Sequence, residues 1–316
     1  MNKIKVLKAG LFSTFQDKGR HDYQHLGMPV GGAMDIYALT LANYLVANSP
    51  AEACLEITFI GLTLEFNFAT HIALTGGSCD VKINSKTAKC HKTLTIKSGD
   101  ILIVGNITSG SRAYLSIAGG FHLPLVMGSK STYIRGQLGG FKGRALKDGD
   151  EIEANISVSK LKKSFINRKH IPVLTTNVVL RITPGPEKER FTWEGIIKFL
   201  GAEYQMSTQS DRMGYRLTGP AIEQKNHDAD ITSSAITFGT IQVPNDGAPI
   251  IMMADRQTTG GYTRIAQVIS ADHHKLAQLK PGDKITFKEV TLDEAHYLYL
   301  EQEMIVNRYI RQGYNE

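Results

Sequence analysis

The stretch LTIKSGDILIV, residues 94–104, places a glycine turn between two short runs of β-branched and alternating residues. Glycine tolerates a positive φ and aspartate hydrogen-bonds the local backbone, so Lys-Ser-Gly-Asp predicts a tight turn that leads into a strand. The same Lys-x-Gly-Asp pattern occurs at residues 147–150 and 280–283, each time before a strand-like run. The repetition fits two β-barrel-like halves.

Most of the remaining chain also has the pattern of short strands. Thirty glycines in 316 residues indicate many tight turns. Alternating or β-branched runs predict strands at residues 62–68, 94–96, 101–104, 113–117, 178–182 and 284–287. Helical periodicity is clear only at residues 34–47, 191–200, 272–279 and 291–310. We therefore predict a mainly β protein of two β-barrel-type halves with a few covering helices.

Composition and charge exclude several classes of protein. The chain is 42% hydrophobic and 21% charged, as globular proteins are, with a formal charge of +6. Its densest basic stretch, residues 160–169, lacks the interleaved aromatic residues of a nucleic-acid groove. That stretch instead predicts a linker, about residues 156–175, between an N-terminal domain (1–155) and a C-terminal domain (176–316). We expect no nucleic-acid partner.

The cellular location of the protein is predicted from the lack of a membrane-spanning or signal-peptide pattern in its sequence. No run approaches 18 uninterrupted apolar residues, and Lys8 interrupts the N-terminus where a signal peptide would be apolar. The three cysteines, Cys54, Cys79 and Cys90, show no CxxC spacing and are interpreted as reduced. We expect a cytoplasmic protein without a membrane partner.

Four polar, glycine-punctuated segments break the strand pattern without being simple turns. They are TFQDKGR with GMPVGGAMD (residues 14–20 and 27–35), AGGF with GSKST (118–121 and 128–132), SDRMGYRLTGP (210–220) and GTIQVPNDGAPIIMMADRQTTGGY (239–262). Three carboxylate–guanidinium neighbours lie in them: Asp17 with Arg20, Asp211 with Arg212, and Asp255 with Arg256. Such an arginine can clamp a carboxylate or phosphate, or keep the aspartate ionised as a base. The alternative is a structural ion pair that fixes a loop.

Other signals are weaker. The GxxxxGK spacing of a P-loop is absent around residues 128–132. Gly260-Gly261 could present backbone N–H groups to an oxyanion, although a strand corner explains it as well. His273 and His274 are adjacent, so their side chains diverge, and no third ligand follows at metal spacing. We therefore predict no metal site on this chain.

At these four segments, and at AQLKPGD (residues 277–283), the sequence resembles the allophanate-hydrolase-subunit-2 family, also called KipA-like or biotin-dependent carboxyltransferase proteins. The resemblance covers about residues 4–290. It implies two cyclophilin-like β-barrel halves. Ser78 stands where many relatives carry an aspartate, which places one local contact in doubt.

The family resemblance implies an activity and partners. Its members include one component of prokaryotic 5-oxoprolinase, which uses ATP with Mg²⁺ to open 5-oxo-L-proline to L-glutamate. The implied partners are a KipI-like protein (allophanate hydrolase subunit 1, or the B subunit of 5-oxoprolinase) and the LamB-like A subunit. Two alternatives remain open: a carboxyltransferase subunit of a biotin-dependent urea or amide carboxylase, and a regulatory protein that binds a KipI-like kinase inhibitor. No biotin-carrier Met-Lys-Met is present on this chain.

For a small anionic substrate we expect Arg20 or Arg256 as the clamp, and Asp17 or Asp255 as the acid–base or orienting carboxylate. We further predict that the carboxylate–guanidinium loops of the two halves converge on one pocket. The predicted substrate-binding residues are Gln16, Asp35, Ser210, Arg212, Gln242, Thr258, Thr259 and Gly260.

Overall fold

The structure, a computed structural model, describes residues 2–155, 163–225 and 229–314, with side chains as far as residue 310. It divides the chain into two compact units. Unit 1 contains Met1–Arg20, Gly31–Leu174 and Met304–Glu316, and unit 2 contains His21–Val30 and Thr175–Glu303. These units differ from the predicted domains, 1–155 and 176–316, at residues 21–30 and 304–316, and the predicted domain boundary stays a prediction. Part of the predicted linker, residues 156–162, lies outside the described residues.

Within the described residues, unit 1 contains nine strands, one whole helix and the end of another. The strands are β1 Lys3–Lys8, β2 Phe12–Gln16, β3 Cys54–Thr58, β4 Thr63–Phe66, β5 Thr70–Ile83, β6 Lys86–Ala88, β7 Leu94–Ile96, β8 Ile101–Ile117 and β9 Glu151–Glu153. The helix is α1, Ile36–Leu45. The predicted strands 101–104 and 113–117 are the two ends of β8, so the glycine and polar residues between them do not interrupt the strand.

The strands of unit 1 form one sheet in the order β2-β3-β8-β4-β1-β9, and β5 pairs with β6, β7 and β8. The long β8 pairs antiparallel with β5 from Ile72↔Ile117 to Ile83↔Leu102, with register shifts on the way. Bulges of this kind bend a strand and increase its twist. The sheet therefore curves as a half-barrel around a core that includes Phe15, Phe66 and Phe121.

Helix α1 covers part of this sheet. Asp35 caps its N-terminus, because its side chain accepts a hydrogen bond from Ala38 N–H. Seven of its ten residues are buried, including Leu39 and Leu41, and it packs on β5 and β8. A helix that is buried on most of its surface has little amphipathic contrast, so its ends are hard to locate from the sequence. The predicted helix, residues 34–47, extends two residues beyond each end of α1.

In the part of the chain that is described, unit 2 contains eight strands, two whole helices and the first part of a third. The strands are β10 Asn177–Pro184, β11 Tyr204–Met206, β12 Gly214–Thr218, β13 Asp230–Ala235, β14 Thr240–Val243, β15 Ile250–Met252, β16 Thr259–Val268 and β17 Lys284–Glu289. The helices are α2 Trp193–Gly201, α3 His273–Ala277 and α4 Leu292–Tyr314. Residues 304–314 of α4 belong to unit 1.

The sheet of unit 2 runs β10-β17-β11-β12-β15-β14-β16, with β13 outside β16. Strand β10 also pairs with β16 through Ile182↔Val268, so seven of the strands close into a barrel. Helix α2 packs its Phe199 on Phe287 of β17, with ring centroids 4.6 Å apart. The prediction of a mainly β fold with barrel-type halves and a few covering helices is confirmed.

The Lys-x-Gly-Asp segments form the predicted turns. In each, the aspartate carboxylate accepts the lysine N–H and the glycine has φ between 86° and 92°. They lead into β8, β9 and β17. All three cysteines are free thiols. In the described part of the chain, no helix combines the length and apolar character that crossing a membrane requires.

Candidate functional site

In unit 1, the centre of the candidate site is Asp17, the residue that follows β2. Its Oδ1 accepts hydrogen bonds from Ser129 Oγ at 2.7 Å, Ser131 Oγ at 2.5 Å and Gly19 N–H at 2.8 Å. Its Oδ2 accepts the backbone N–H of Lys130 at 2.6 Å. The side chain is buried, so these donors replace the water that a carboxylate would otherwise bind. Asp17 thus anchors the segment 129–131 to the end of β2.

Arg20 is fully buried beside the same segment. Its Nε donates to the carbonyl of Val126 at 3.2 Å and its Nη2 donates to the carbonyl of Ser131. A Cβ on Gly139 would clash with Nη2, so a glycine there lets the backbone approach the guanidinium. Both of these donors bind backbone carbonyls, so Arg20 holds the loop that contains Val126 and Ser131 in place.

Gln16 precedes Asp17 and is also buried. Its Nε2 donates to Thr14 Oγ1 at 2.9 Å and to the carbonyl of Thr132 at 3.2 Å. Within the described residues, its Oε1 has no hydrogen-bond partner, and neither has the buried Thr132 Oγ1. Gln16 therefore ties β2 to the end of the GSKST segment.

Asp35, which we predicted as a substrate contact, is the N-cap of α1. Its backbone N–H donates to Tyr114 Oη at 2.8 Å, and that hydroxyl donates to Glu56 Oε2 at 2.7 Å. The backbone N–H of Met34 donates to the same oxygen at 2.9 Å. Burial, with the negative charge of Glu56, raises the pKa of Tyr114 well above its ordinary value. The group orients the residues that enter α1.

Glu56 and Tyr114 were not predicted as site residues. They are cross-strand neighbours in the β3–β8 ladder, and Arg112 Nε lies 3.8 Å from Glu56 Oε1. The sequence signal that could have found them is a glutamate within the apolar strand-like run CLEIT, because carboxylates are rarely buried without a partner.

The centre in unit 2 is a bidentate ion pair between Arg212 and Asp255. Arg212 Nε lies 2.9 Å from Oδ2 and its Nη2 lies 3.0 Å from Oδ1. Strand pairing brings them together: Gly214 of β12 opposes Met252 of β15, and beyond this pair Asp255 N–H donates to the carbonyl of Arg212 at 2.8 Å. Asp255 thus forms its ion pair with Arg212, and the geometry differs from the expected Asp255–Arg256 pair.

Arg256 points elsewhere. Its Nε donates to the carbonyl of Ile236 at 3.2 Å and its Nη1 to the carbonyl of Met253 at 3.1 Å. Within the described residues, Nη2 forms no hydrogen bond or salt bridge, and the side chain is half-buried. Burial lowers the pKa of Arg256 to about 10, partly offset by the negative charge of Asp255, so the guanidinium is protonated at neutral pH.

Asp211 and Ser210 shape the turn before β12. Asp211 Oδ1 accepts the N–H groups of Met213 and Gly214, while Ser210 Oγ accepts the N–H of Arg216 at 3.1 Å. Local contacts of this kind are typical of aspartate and serine in turns. Neither contact is to the Arg212–Asp255 pair.

The remaining predicted residues lie around β14 and β16. Gln242 Nε2 donates to the carbonyl of Tyr262 at 3.2 Å, and a Cβ on Gly260 would come within 2.6 Å of that nitrogen. Thr258 accepts the N–H of Ile236 through its carbonyl, and Thr259 pairs with Ala235 in the ladder between β13 and β16. Gly260 is thus a close-packed strand position.

Each unit therefore has its own candidate centre, around Asp17 in unit 1 and around the Arg212–Asp255 ion pair in unit 2. Asp17, Arg20, Gln16 and Asp35 belong to unit 1, and all the other predicted site residues belong to unit 2. The convergence of the two centres on one pocket stays a prediction. Throughout the described ranges, no three His, Cys, Asp or Glu side chains group in a way that could hold a metal ion.

A curved half-barrel and a closed seven-stranded barrel, each with a buried aspartate fixed at the end of a strand, define a mainly β two-unit class of protein. The chain belongs to the carboxyltransferase-domain family, subdomains A and B, which matches residues 26–289.

Curated relatives cover almost the whole chain. The C subunit of 5-oxoprolinase from Escherichia coli is 39% identical over 92% of this chain and 93% of its own length. The protein of the same name from Haemophilus influenzae is 35% identical over 96% of this chain and 97% of its own length. Their name makes those relatives parts of a multi-subunit enzyme.

Solved structures support the same fold. The Kluyveromyces lactis urea carboxylase superposes with a TM-score of 0.91 at 33% identity over 97% of this chain. The present chain spans only 29% of that protein, and 20% of the K. lactis urea amidolyase, which superposes equally well. The likeness therefore applies to one domain of those larger enzymes.

Proposed function

We propose that this chain is the C subunit of an ATP-dependent 5-oxoprolinase, acting with KipI-like and LamB-like partners to convert 5-oxo-L-proline to L-glutamate. The observation that carries the proposal is the match to the Escherichia coli protein of that name, because it extends over nearly the full length of both chains at 39% identity. The protein acts within the complex and has little or no turnover alone.

The reaction determines what a site must provide. The lactam amide is resonance-stabilised, so its carbonyl oxygen is first phosphorylated by the γ-phosphoryl group of ATP. ADP leaves in that step. Water then adds to the activated carbon and the ring C–N bond breaks, with a proton passing to the ring nitrogen, which gives an acyl phosphate. A second water molecule hydrolyses the acyl phosphate to the carboxylate and phosphate. A cationic clamp must hold the substrate carboxylate or the phosphate, and a carboxylate must orient the attacking water. Mg²⁺ enters with ATP, and the proposal assigns no metal ligand and no biotin to this chain.

Arg256 meets the requirement for a clamp better than Arg20. Arg20 is fully buried and donates to two backbone carbonyls, so it fixes the segment 129–131. Arg256 is half-buried, held by the carbonyls of Ile236 and Met253 through Nε and Nη1. Two fixed nitrogens orient the guanidinium, and Nη2 can then bond to an anionic oxygen.

Asp255 is the orienting carboxylate in this proposal. Its bidentate bond to Arg212 fixes both of its oxygens. It directly precedes Arg256, so a negative charge lies beside the clamp. Asp17, whose oxygens already accept four hydrogen bonds, has the positioning role in unit 1.

The test is glutamate release from 5-oxoproline and ATP by the reconstituted three-subunit mixture. Arg256→Gln should lower turnover at least tenfold (about 1.4 kcal/mol) through loss of one charged contact. Arg216→Gln is the matched control: Arg216 is exposed in the same unit, and within the described residues its side chain forms no hydrogen bond or salt bridge. Full turnover by Arg256→Gln would contradict the assignment of the clamp.

A second candidate function is carboxyl transfer from biotin to urea or a related amide. The urea amidolyase of Saccharomyces cerevisiae is 33% identical over 96% of this chain, which here spans 17% of that enzyme. Such an activity would need a biotinylated carrier on another chain. Inhibition of the reconstituted activity by avidin would favour this candidate, and indifference to avidin would remove it.

A further inference from the structure

Unit 1 contains a cavity whose lining includes none of the predicted site residues. It has a volume of about 380 Å³ and is lined by Tyr44, Lys163, Ser164, Phe165, Asn167, Lys169, His170, Arg308 and Tyr309. Its lining comes from α1, the segment 163–170 and the C-terminal part of α4. Cavities of about 300–1,000 Å³ are typical of small-molecule sites.

The aromatic wall of the cavity is held by hydrogen bonds. Tyr309 Oη accepts the backbone N–H of Asn167 at 3.0 Å and lies 2.7 Å from His170 Nδ1. Its ring lies 5.0 Å from that of Tyr44 and edge-on to His170 at 5.5 Å. Tyr309 is buried, so this wall is preformed. Phe165, in contrast, is 71% exposed and offers a ring face to a ligand.

One side of the cavity carries three positive charges without acidic partners among the described residues. Lys163, Lys169 and Arg308 are exposed, and within the described ranges none of them forms a salt bridge or side-chain hydrogen bond. Among the described residues that line the cavity, none is acidic. Three unpaired cations around one concave surface attract anions and hold them more strongly than separate charges on a flat surface.

The pKa values of two histidines are lowered by burial and by these positive charges. Burial, then the charges of Lys169 and Arg308, lower the pKa of His170. Burial, then the charge of Lys163, lowers the pKa of His71. Neutral His170 can accept a hydrogen bond from the Tyr309 hydroxyl at Nδ1, and its Nε2–H is then a further donor.

We propose that this cavity binds a nucleoside phosphate: the phosphate on Lys163, Lys169 and Arg308, and the planar base against Phe165 and the Tyr44–Tyr309 wall. Lysine and arginine bind phosphate through charge-assisted hydrogen bonds. Aromatic side chains stack on a base of any sequence. The proposal is independent of the activity proposed above, since it concerns binding to the chain alone.

The experiment is calorimetric titration of the full chain with adenosine monophosphate, adenosine and inorganic phosphate, at low and at high NaCl. We expect the nucleotide to bind more tightly than either fragment and its affinity to fall with salt, because exposed charges are screened. Absence of saturable nucleotide binding in the millimolar range would overturn the proposal. Equal affinity for inorganic phosphate and the nucleotide would overturn it too.

Variants locate the site. The double variant Lys169→Gln/Arg308→Gln should raise the Kd for the nucleotide at least about tenfold. The double variant Lys82→Gln/Lys86→Gln removes the same charge from exposed positions of β5 and β6 and should bind as the wild type does. Phe165→Ala should weaken nucleotide binding and leave phosphate binding unchanged. Unchanged nucleotide affinity in the first double variant would refute this location.

Discussion

Replacing Asp17 by asparagine tests whether this carboxylate holds unit 1 together at its candidate site. Oδ1 faces three donors and Oδ2 faces the N–H of Lys130, so either orientation of the new amide directs its NH₂ group at a donor. At least one bond to a charged group is lost, at about 1.5–3 kcal/mol, and a buried donor is left unsatisfied, at about 1–3 kcal/mol. We expect Asp17→Asn to lower the free energy of unfolding by about 3–5 kcal/mol.

The assay is urea denaturation followed by circular dichroism, with the transition of unit 1 analysed separately if two transitions are seen. Asp80→Asn is the matched control: it removes the same charge from the same unit, and Asp80 is exposed, with no hydrogen bond to its carboxylate in the described residues. The control should change stability by less than about 0.5 kcal/mol. An Asp17→Asn midpoint equal to that of the control would refute the anchoring role.

Two further predictions concern unit 1. Gly139→Ala should lower the free energy of unfolding by more than about 3 kcal/mol, because the φ of Gly139 is 65° and the new Cβ would clash with Arg20 Nη2 and Ser131 O. Gly128 has a similar φ of 72° but open space around it, so Gly128→Ala should lower the free energy of unfolding by about 1 kcal/mol in the same denaturation assay. Equal losses would contradict the close approach. The bidentate bond from Arg144 lowers the pKa of Asp150, so its stabilisation is present above the ordinary carboxyl pKa and is lost as pH falls through the lowered value. Asp150→Asn should therefore be less stable than wild type at pH 7, by about 1 kcal/mol or less, and the difference in Tm should shrink in acid; a constant difference would contradict this.

The local parts of the fold were predictable because they depend on neighbours in sequence. The three Lys-x-Gly-Asp turns each need only a glycine with positive φ and an aspartate that accepts a nearby N–H. The α4 helix was predicted to begin near residue 291, where Asp293 and Glu294 follow in its first turn. The full length of strand β8 was harder to predict, because its two glycines and the polar residues between them resemble a turn in the sequence, whereas the structure accommodates them with bulges in the β5–β8 pairing.

The candidate sites were predictable as segments but only partly as contacts. TFQDKGR and GSKST were both recognised, yet their connection joins Asp17 to Ser131, 114 residues away. The ion pair of Asp255 was expected with its neighbour Arg256, and it forms instead with Arg212, 43 residues away. Arg212 precedes β12 and Asp255 follows β15, so the antiparallel pairing of these two strands brings the two residues together, whereas Arg256 donates to the carbonyls of Ile236 and Met253.

The sequence by itself determined the class of fold, the turns and the polar segments, because alternation, glycine and aspartate act over a few residues. Only the tertiary structure decided which carboxylate meets which guanidinium, that Arg20 is fully buried, and that Lys163, Lys169 and Arg308 surround one cavity. The physical reason is that strand register and packing between distant segments set these contacts, and no local pattern encodes them.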